Sequence, residues 1–208
     1  MAKTTAFEEH TDAYDDWFDR NAAAYSAELK AIRELLPNAD LHGMEIGVGS
    51  GKFAEPLGIV IGVEPCEQMA EKARALGIEV VPGVAEALPF ADGVFDYALM
   101  VTTICFVDDV VRSFREALRV LRPGGFILVA YVDKESELGR QYLTNRHKSR
   151  FYQEATFYST REVLAHLETA GFGWTEVRQT LIADASDQRV APGYGDGGFV
   201  VVKAMKEI

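Results

Sequence analysis

Apolar residues in the first part of the chain recur every three or four positions, which is the spacing of one face of a helix. The positions that follow this spacing are Tyr14, Trp17, Phe18, Tyr25, Leu29, Ile32, Leu35 and Leu36. Pro37 ends the pattern, because proline lacks the backbone N–H that a continuing helix needs. Residues 1–37 are therefore predicted to be helical, and we interpret them as an N-terminal helical lid.

From residue 40 onward, short apolar runs alternate with amphipathic stretches. The runs predict strands at His42–Gly47, Ile59–Glu64, Ile78–Val81, Val94–Val101 and Phe126–Val132. The amphipathic stretches predict helices at Cys66–Leu76 and Asp109–Arg122. Such alternation is typical of a parallel sheet whose crossovers carry helices.

The last third of the chain has a different pattern. Residues 133–158 are polar with interleaved aromatics and predict an excursion that carries short helices. A capping box over residues 159–162 predicts a helix that ends at Gly171. Trp174–Leu181 and Phe199–Ala204 predict two antiparallel strands, because no helix lies between them. The whole chain thus predicts an α/β fold with a doubly wound, seven-stranded sheet, mostly parallel, with the last strand antiparallel and helices on both faces.

Composition and charge narrow the class of protein. The chain has 208 residues, 48% of them hydrophobic, and a formal net charge of −11. This acidity argues against a nucleic-acid partner, because phosphates are bound mainly by Lys and Arg. No apolar stretch reaches the roughly 20 residues of a membrane span, and the first residues lack a signal-peptide core. Two cysteines, Cys66 and Cys105, and scattered histidines predict no metal site. We expect a cytoplasmic protein that binds neither nucleic acid nor membrane.

The glycine-rich stretch of residues 44–51 is the most informative motif. It follows a predicted strand, where a glycine turn lets the backbone approach a ligand at the strand's carboxyl end. A dinucleotide fingerprint would place its third glycine one residue later. The pattern Gly47-x-Gly49-x-Gly51, preceded by Glu45, resembles the first motif of the class I S-adenosylmethionine-dependent methyltransferases. A simple glycine turn between strand and helix is the alternative.

Two residues, one at the end of the second predicted strand and one on the helix after it, fit the same resemblance. Glu64 ends that strand, where its carboxylate can accept hydrogen bonds from both hydroxyls of a ribose. Met69 lies on the following helix and can place its thioether over an adenine face. An acidic cap and simple helix–sheet packing, respectively, are the alternatives.

Two later segments also resemble the family and occur in its order. Residues 83–97 resemble its adenine-edge segment and fourth strand, and residues 121–125 resemble the turn before its fifth strand. Many relatives carry an acid where Val84 stands, so that contact is expected here from Glu86 or from the backbone of Ala85.

The resemblance spans residues 40–172 and implies a Rossmann-like fold, with S-adenosylmethionine as cofactor and S-adenosylhomocysteine as product. The cofactor-binding residues that it implies are Glu45, Gly47, Gly49, Gly51, Glu64, Pro65, Met69, Ala85, Glu86, Val101 and Thr102. We expect a single methyltransferase domain over 1–208, with a lid (1–37), a cofactor-binding half (40–132), an acceptor-side excursion (133–158) and a C-terminal helix and hairpin (159–208).

The candidates for binding the methyl acceptor are Tyr14, Trp17, Tyr25, Phe106 and Arg150. Arg150 belongs to a basic and aromatic stretch, residues 146–152, in an otherwise acidic chain. Because Arg can hold a carboxylate or phosphate with two parallel hydrogen bonds, this stretch predicts a small anionic acceptor with a hydrophobic body. A solvated helix face is the alternative.

These features predict a methyltransferase that moves a methyl group by direct displacement to a small-molecule acceptor, with no residue assigned as general base. A non-catalytic protein that binds S-adenosylmethionine is one alternative. A nicotinamide- or flavin-dependent oxidoreductase is another, against which the early third glycine argues. Monomer and homodimer both remain open.

Overall fold

Strands and helices alternate along the middle of the chain, as the pattern predicts. The computed structural model describes residues 4–183 and 189–207. Its helices are α1 (Thr5–Glu9), α2 (Thr11–Arg20), α3 (Ala22–Leu35), α4 (Glu67–Ala75), α5 (Val110–Val120), α6 (Glu137–Asn145) and α7 (Thr160–Ala170). Its strands are β1 (Gly43–Ile46), β2 (Ile61–Glu64), β3 (Glu79–Pro82), β4 (Phe95–Val101), β5 (Leu121–Val132), β6 (Thr175–Ile182), β7 (Ala191–Pro192) and β8 (Gly197–Met205). Short 3-10 helices lie at Glu55–Leu57 and Arg146–Lys148.

The strands form one sheet in the order β3-β2-β1-β4-β5-β8-β6-β7. The first five pair in parallel, and β8 is antiparallel to both β5 and β6, which confirms the α/β, mostly parallel sheet and its antiparallel last pair. The predicted count of seven strands is wrong, because the described residues form eight. The extra strand, β7, is too short to show a period-2 pattern, and Pro192 suits its edge position because proline cannot donate to a ladder.

The joint between α5 and β5 also differs from the prediction. α5 ends at Val120 rather than Arg122, and β5 begins at Leu121 rather than Phe126. The first part of β5 pairs irregularly with β4, because the register shifts there. Helix ends commonly differ from a pattern by a residue or two, since the last turn frays.

The core consists of two layers, one on each face of the sheet. Met100 of β4 packs with Phe114 of α5 and Leu167 of α7, whereas its neighbour Leu99 packs on the other face with Ile32 of α3. All five side chains are fully buried. Successive side chains of a strand point to opposite faces, so helices on both sides are needed to cover them. The carboxyl ends of the parallel strands remain free to build a site at one edge.

Candidate active site

A cavity lies between the carboxyl ends of the parallel strands and the N-terminal helices. The predicted site residues found in its wall are Tyr14, Trp17, Gly47, Gly49, Glu64, Pro65, Met69, Ala85, Glu86, Val101, Thr102 and Phe106. Four other predicted residues, Glu45, Gly51, Tyr25 and Arg150, all described by the structure, do not line it. The structure therefore brings most of the predicted residues together around one space.

The glycine loop after β1 uses its three glycines differently. All three have left-handed backbone, with φ of +70° at Gly47, +55° at Gly49 and +83° at Gly51, which glycine adopts at little cost. A Cβ on Gly51 would lie 2.6 Å from Ile78 Cδ1 and 3.3 Å from Ala73 of α4, so Gly51 allows α4 and the residue before β3 to pack behind the loop. A Cβ on Gly49 would meet nothing nearer than Met69 Cε at 3.4 Å, and this glycine faces the cavity. Only Gly49 therefore leaves an open cradle for a ligand.

Glu64 joins the glycine loop to Cys66, two residues after the end of β2. Its Oε2 accepts a hydrogen bond from the Gly49 amide at 2.9 Å, and its Oε1 accepts one from the Cys66 amide at 3.0 Å. Burial raises the pKa of Glu64, and the two amides counteract the rise. Each carboxyl oxygen has a second lone pair, so Glu64 can still accept from a ligand in the cavity.

Glu45 lies behind the loop rather than in the cavity wall. Its side chain is buried, and among the described residues no donor reaches its Oε2. Burial raises the pKa of Glu45 well above the ordinary value, and the negative charge of Glu64 raises it further. Both effects favour the protonated form of Glu45, and a hydrogen bond from the Ala54 backbone counteracts them in part.

Thr102, at the end of β4, has an unusual backbone. Its φ of +49° lies in the left-handed region, which costs a non-glycine residue roughly 1–3 kcal/mol. Its amide nevertheless donates to the Ala130 carbonyl oxygen at 2.8 Å, and the residue lines the cavity. Strain of this kind is found most often at ligand sites.

The N-terminal helices cover the cavity and are tied to its floor. Asp15 of α2 accepts a hydrogen bond from the Ser50 hydroxyl at 2.6 Å. It also forms an ion pair with Lys72 of α4, whose Nζ lies 2.9 Å from the carboxylate. Tyr25 lies away from the cavity, where its hydroxyl donates to the Lys52 carbonyl oxygen. The segment therefore lies where a lid would lie, and its opening stays a prediction.

Aromatic rings form much of the remaining wall. Phe7 lies 5.0 Å from Phe106 and 5.3 Å from Phe151, measured between ring centroids, and Tyr142 lies 5.4 Å from Tyr152. Phe7 and Tyr142 were not among the sequence candidates. They come from α1 and α6, which are distant in sequence from the glycine loop, so only the folded chain brings them to it.

Glu28 is a titratable cavity residue that sequence reasoning also missed. It lies on the buried face of α3, and its residue is 5% exposed. Burial alone raises the pKa of Glu28 to about 8. A signal was present in the sequence, because Glu28 lies three residues after Tyr25 and four before Ile32, within the apolar stripe.

The basic cluster of residues 146–152 does not reach the cavity with its charges. Arg146, His147, Lys148 and Arg150 are exposed, whereas the neighbouring rings of Phe151 and Tyr152 line the wall. Among the described residues of the wall there is no Lys, Arg or His. The wall therefore gives no support to an anionic acceptor.

Of the two adenine contacts suggested for residues 83–97, Glu86 and the backbone of Ala85, the structure favours the second. The Glu86 carboxylate accepts hydrogen bonds from the Asp108 and Asp109 amides, at 2.7 and 3.2 Å, and so orients the start of α5. Ala85 lines the cavity beside Val84, and its backbone is the better candidate for an adenine contact.

Comparison with known proteins identifies the family. The family model described as "Methyltransferase domain" matches residues 44–129. A solved structure with a similar chain is that of an S-adenosylmethionine-dependent methyltransferase from Thermotoga maritima, described as a possible histamine N-methyltransferase. The two sequences are 48% identical, and the match covers 97% of this chain and 98% of that one. The two structures superpose with a TM-score of 0.93. The chain belongs to the class I S-adenosylmethionine-dependent methyltransferases.

Other relatives of this methyltransferase carry less specific descriptions. An uncharacterized protein of Methanocaldococcus jannaschii is 39% identical over 96% of this chain and 98% of its own length. A ubiquinone biosynthesis O-methyltransferase of Parvibaculum lavamentivorans is 29% identical over 56% of this chain and 49% of its own. In the described part of this methyltransferase no helix is long and apolar enough to cross a membrane, and no group of His, Cys, Asp or Glu could hold a metal ion.

The residues of the methyltransferase fit S-adenosylmethionine, the cofactor of its family. The open cradle at Gly49, the buried carboxylate of Glu64 and the apolar side chain of Met69 face one cavity. In chemical character these three features suit the methionine, ribose and adenine parts of that molecule, respectively.

Proposed function

We propose that this methyltransferase transfers a methyl group by direct displacement to a small molecule bound in the described cavity. The observation that carries the proposal is the hydrogen bond from the Gly49 amide to Glu64, because it places a glycine cradle and a buried acceptor side by side. When bound, S-adenosylmethionine supplies a methyl group on a positively charged sulfur.

Individual residues would hold the cofactor in distinct ways. Gly49 would admit its methionine part, with Gly47 in the adjoining wall, and Glu64 would accept from the ribose hydroxyls. Met69 and the backbone at Ala85 would contact the adenine, and Val101 and Thr102 would flank the methionine part. Pro65 would complete the adenine side, where it lines the wall.

The acceptor would occupy the aromatic part of the cavity, beneath the N-terminal helices. Walls of this kind exclude water and hold two reactants close together, which can lower a barrier by about 7–11 kcal/mol at most. Because the Thermotoga relative is described as a possible histamine N-methyltransferase, histamine is the first acceptor to test. Radioactive methyl transfer from labelled S-adenosylmethionine to an acceptor would separate an enzyme from a non-catalytic binding protein.

S-adenosylhomocysteine should raise the melting temperature of the protein. A ligand bound only by the folded state at a hundred times its Kd stabilises by about 2.7 kcal/mol, or roughly 5–10 °C for a chain of this size. The measurement is a thermal melt with each ligand at millimolar concentration, with NADH as control. A shift with NADH and none with S-adenosylhomocysteine would favour the oxidoreductase alternative.

Glu64→Gln should weaken S-adenosylhomocysteine binding about ten- to hundredfold. Losing a charged acceptor costs roughly 1.5–3 kcal/mol, and tenfold in affinity is about 1.4 kcal/mol. The glutamine amide must also turn its NH2 toward either the Gly49 or the Cys66 amide, both donors. Calorimetric titration measures the change, with the exposed Glu79→Gln as the matched control. Equal affinity in Glu64→Gln and the parent would leave Glu64 a purely structural residue.

A further inference from the structure

The cavity contains a carboxyl group that cofactor binding does not use. Glu28 projects from α3 into the wall, and its residue is 95% removed from solvent. Burial is the sole cause of its pKa rise, and no hydrogen bond or ion pair within the described residues offsets that cost. Without a partner a buried carboxyl group keeps its proton, because an unpaired buried charge is costly. A partner from outside the chain would satisfy it.

The groups around Glu28 indicate which end of the cavity it serves. Its charge acts on the hydroxyls of Tyr14, Tyr142 and Tyr152, which come from α2, α6 and the segment after α6. It also acts on Tyr25 of its own helix. Burial raises the pKa of each of these tyrosines, so all four are neutral near pH 8. Glu28 and three of these tyrosines, Tyr14, Tyr142 and Tyr152, line the same cavity wall.

The charges and rings of the wall suit a cation. Of the three carboxyl groups in the wall, Glu64 accepts from the Gly49 and Cys66 amides and Glu86 from the Asp108 and Asp109 amides, which leaves Glu28 for a cation. The wall holds no Lys, Arg or His within the described residues. Phe7, Phe106 and Phe151 add ring faces, which attract a positive charge through their quadrupoles. An ammonium group in this cavity would therefore meet both a carboxyl group and ring faces.

We propose that the acceptor is an amine and that Glu28 both binds its ammonium group and removes the proton that blocks methylation. The inference rests on the proposed function, since it names the substrate class for the same cavity. It assigns the acceptor a charge opposite to the one that the exposed basic cluster suggests.

The proton transfer can be written with all charges balanced. An ammonium R–NH3⁺ gives one proton to the Glu28 carboxylate, which becomes a carboxylic acid, and the nitrogen recovers its lone pair. The nitrogen then forms a bond to the methyl carbon while the carbon–sulfur bond breaks and its electrons stay on sulfur. The product is R–NH2⁺–CH3, and Glu28 returns its proton to solvent when the product leaves. A base whose pKa lies near the working pH suits this exchange.

The test measures ligand binding to the protein saturated with S-adenosylhomocysteine. Histamine, tyramine and benzylamine are titrated by calorimetry at pH 8, beside the neutral benzyl alcohol and the anionic phenylacetate. We expect at least one amine to bind, and at least ten times more tightly than benzyl alcohol or phenylacetate. Its affinity should rise between pH 6 and pH 9, as Glu28 loses its proton while the amine keeps its own.

Three variants locate the effect. Glu28→Gln should weaken amine binding at least tenfold and remove its rise with pH, with S-adenosylhomocysteine affinity within twofold of the parent. Glu28→Asp, which keeps the charge, should retain part of the affinity and the rise with pH. Glu34→Gln is the matched control on the same helix, since Glu34 is exposed and pairs with Arg178 at 3.4 Å, and it should change neither.

The outcomes separate the two proposals. If S-adenosylhomocysteine binds but no amine does, or if benzyl alcohol or phenylacetate binds as tightly, the amine inference is wrong while the proposed function stands. Unchanged amine affinity in Glu28→Gln would also overturn it. If S-adenosylhomocysteine itself does not bind, the proposed function fails first.

Discussion

Glu28→Gln should stabilise the protein, and the gain should grow by roughly 3 kcal/mol between pH 5.5 and pH 9. In the unfolded chain Glu28 loses its proton near pH 4.5, whereas in the folded chain its pKa is about 8. Between these values the folded state binds the extra proton, so the stability of the parent falls as the pH rises. One pKa unit corresponds to about 1.36 kcal/mol. Glutamine carries no proton to lose and avoids this cost.

Urea denaturation of both proteins at several pH values measures this difference. Glu45 is present in both proteins, so its contribution to the pH dependence of unfolding cancels when the two free energies of unfolding are subtracted. Glu34→Gln should change the free energy of unfolding by at most about 1 kcal/mol, as expected for an exposed ion pair. A difference between Glu28→Gln and the parent that stays constant with pH would show that Glu28 does not titrate as a buried acid. If Glu28→Gln is more stable but no longer binds the amine, Glu28 lowers the stability of the folded protein in exchange for its function.

Gly47→Ala should destabilise the protein by roughly 1–3 kcal/mol more than Gly58→Ala. The two glycines have nearly the same left-handed φ, +70° and +71°, so both substitutions share the cost of placing a side chain there. A Cβ on Gly47 would lie 2.5 Å from Thr103 Cγ2, whereas one on Gly58 would meet nothing within 4 Å. Forcing a side chain into filled space costs roughly 1–3 kcal/mol.

Denaturant titration of the two variants measures the difference directly. Adding Thr103→Ala to Gly47→Ala should recover part of the loss, because it removes the two atoms nearest the new Cβ. Equal losses at Gly47 and Gly58 would mean that the loop moves aside and that backbone strain is the whole effect.

Local patterns account for the layout of the sheet and for the cofactor side of the cavity. Strands, crossover helices and the capping box at Ser159 leave regular signals, because each depends on residues a few positions apart. Glu64 and the glycine loop could be placed together for a similar reason. They follow neighbouring parallel strands, whose carboxyl ends share one edge of the sheet.

The sequence by itself therefore determined the α/β class, the mostly parallel sheet and the family, whereas tertiary structure decided the acceptor side of the cavity and the order of the strands. Phe7, Glu28 and Tyr142 meet in one cavity although they lie on α1, α3 and α6. Whether a charged group such as Arg150 or Glu28 faces solvent depends on what packs against it from distant parts of the chain. Helical spacing can mark Glu28 as part of an apolar stripe, but only the packed helices remove it from water and raise its pKa.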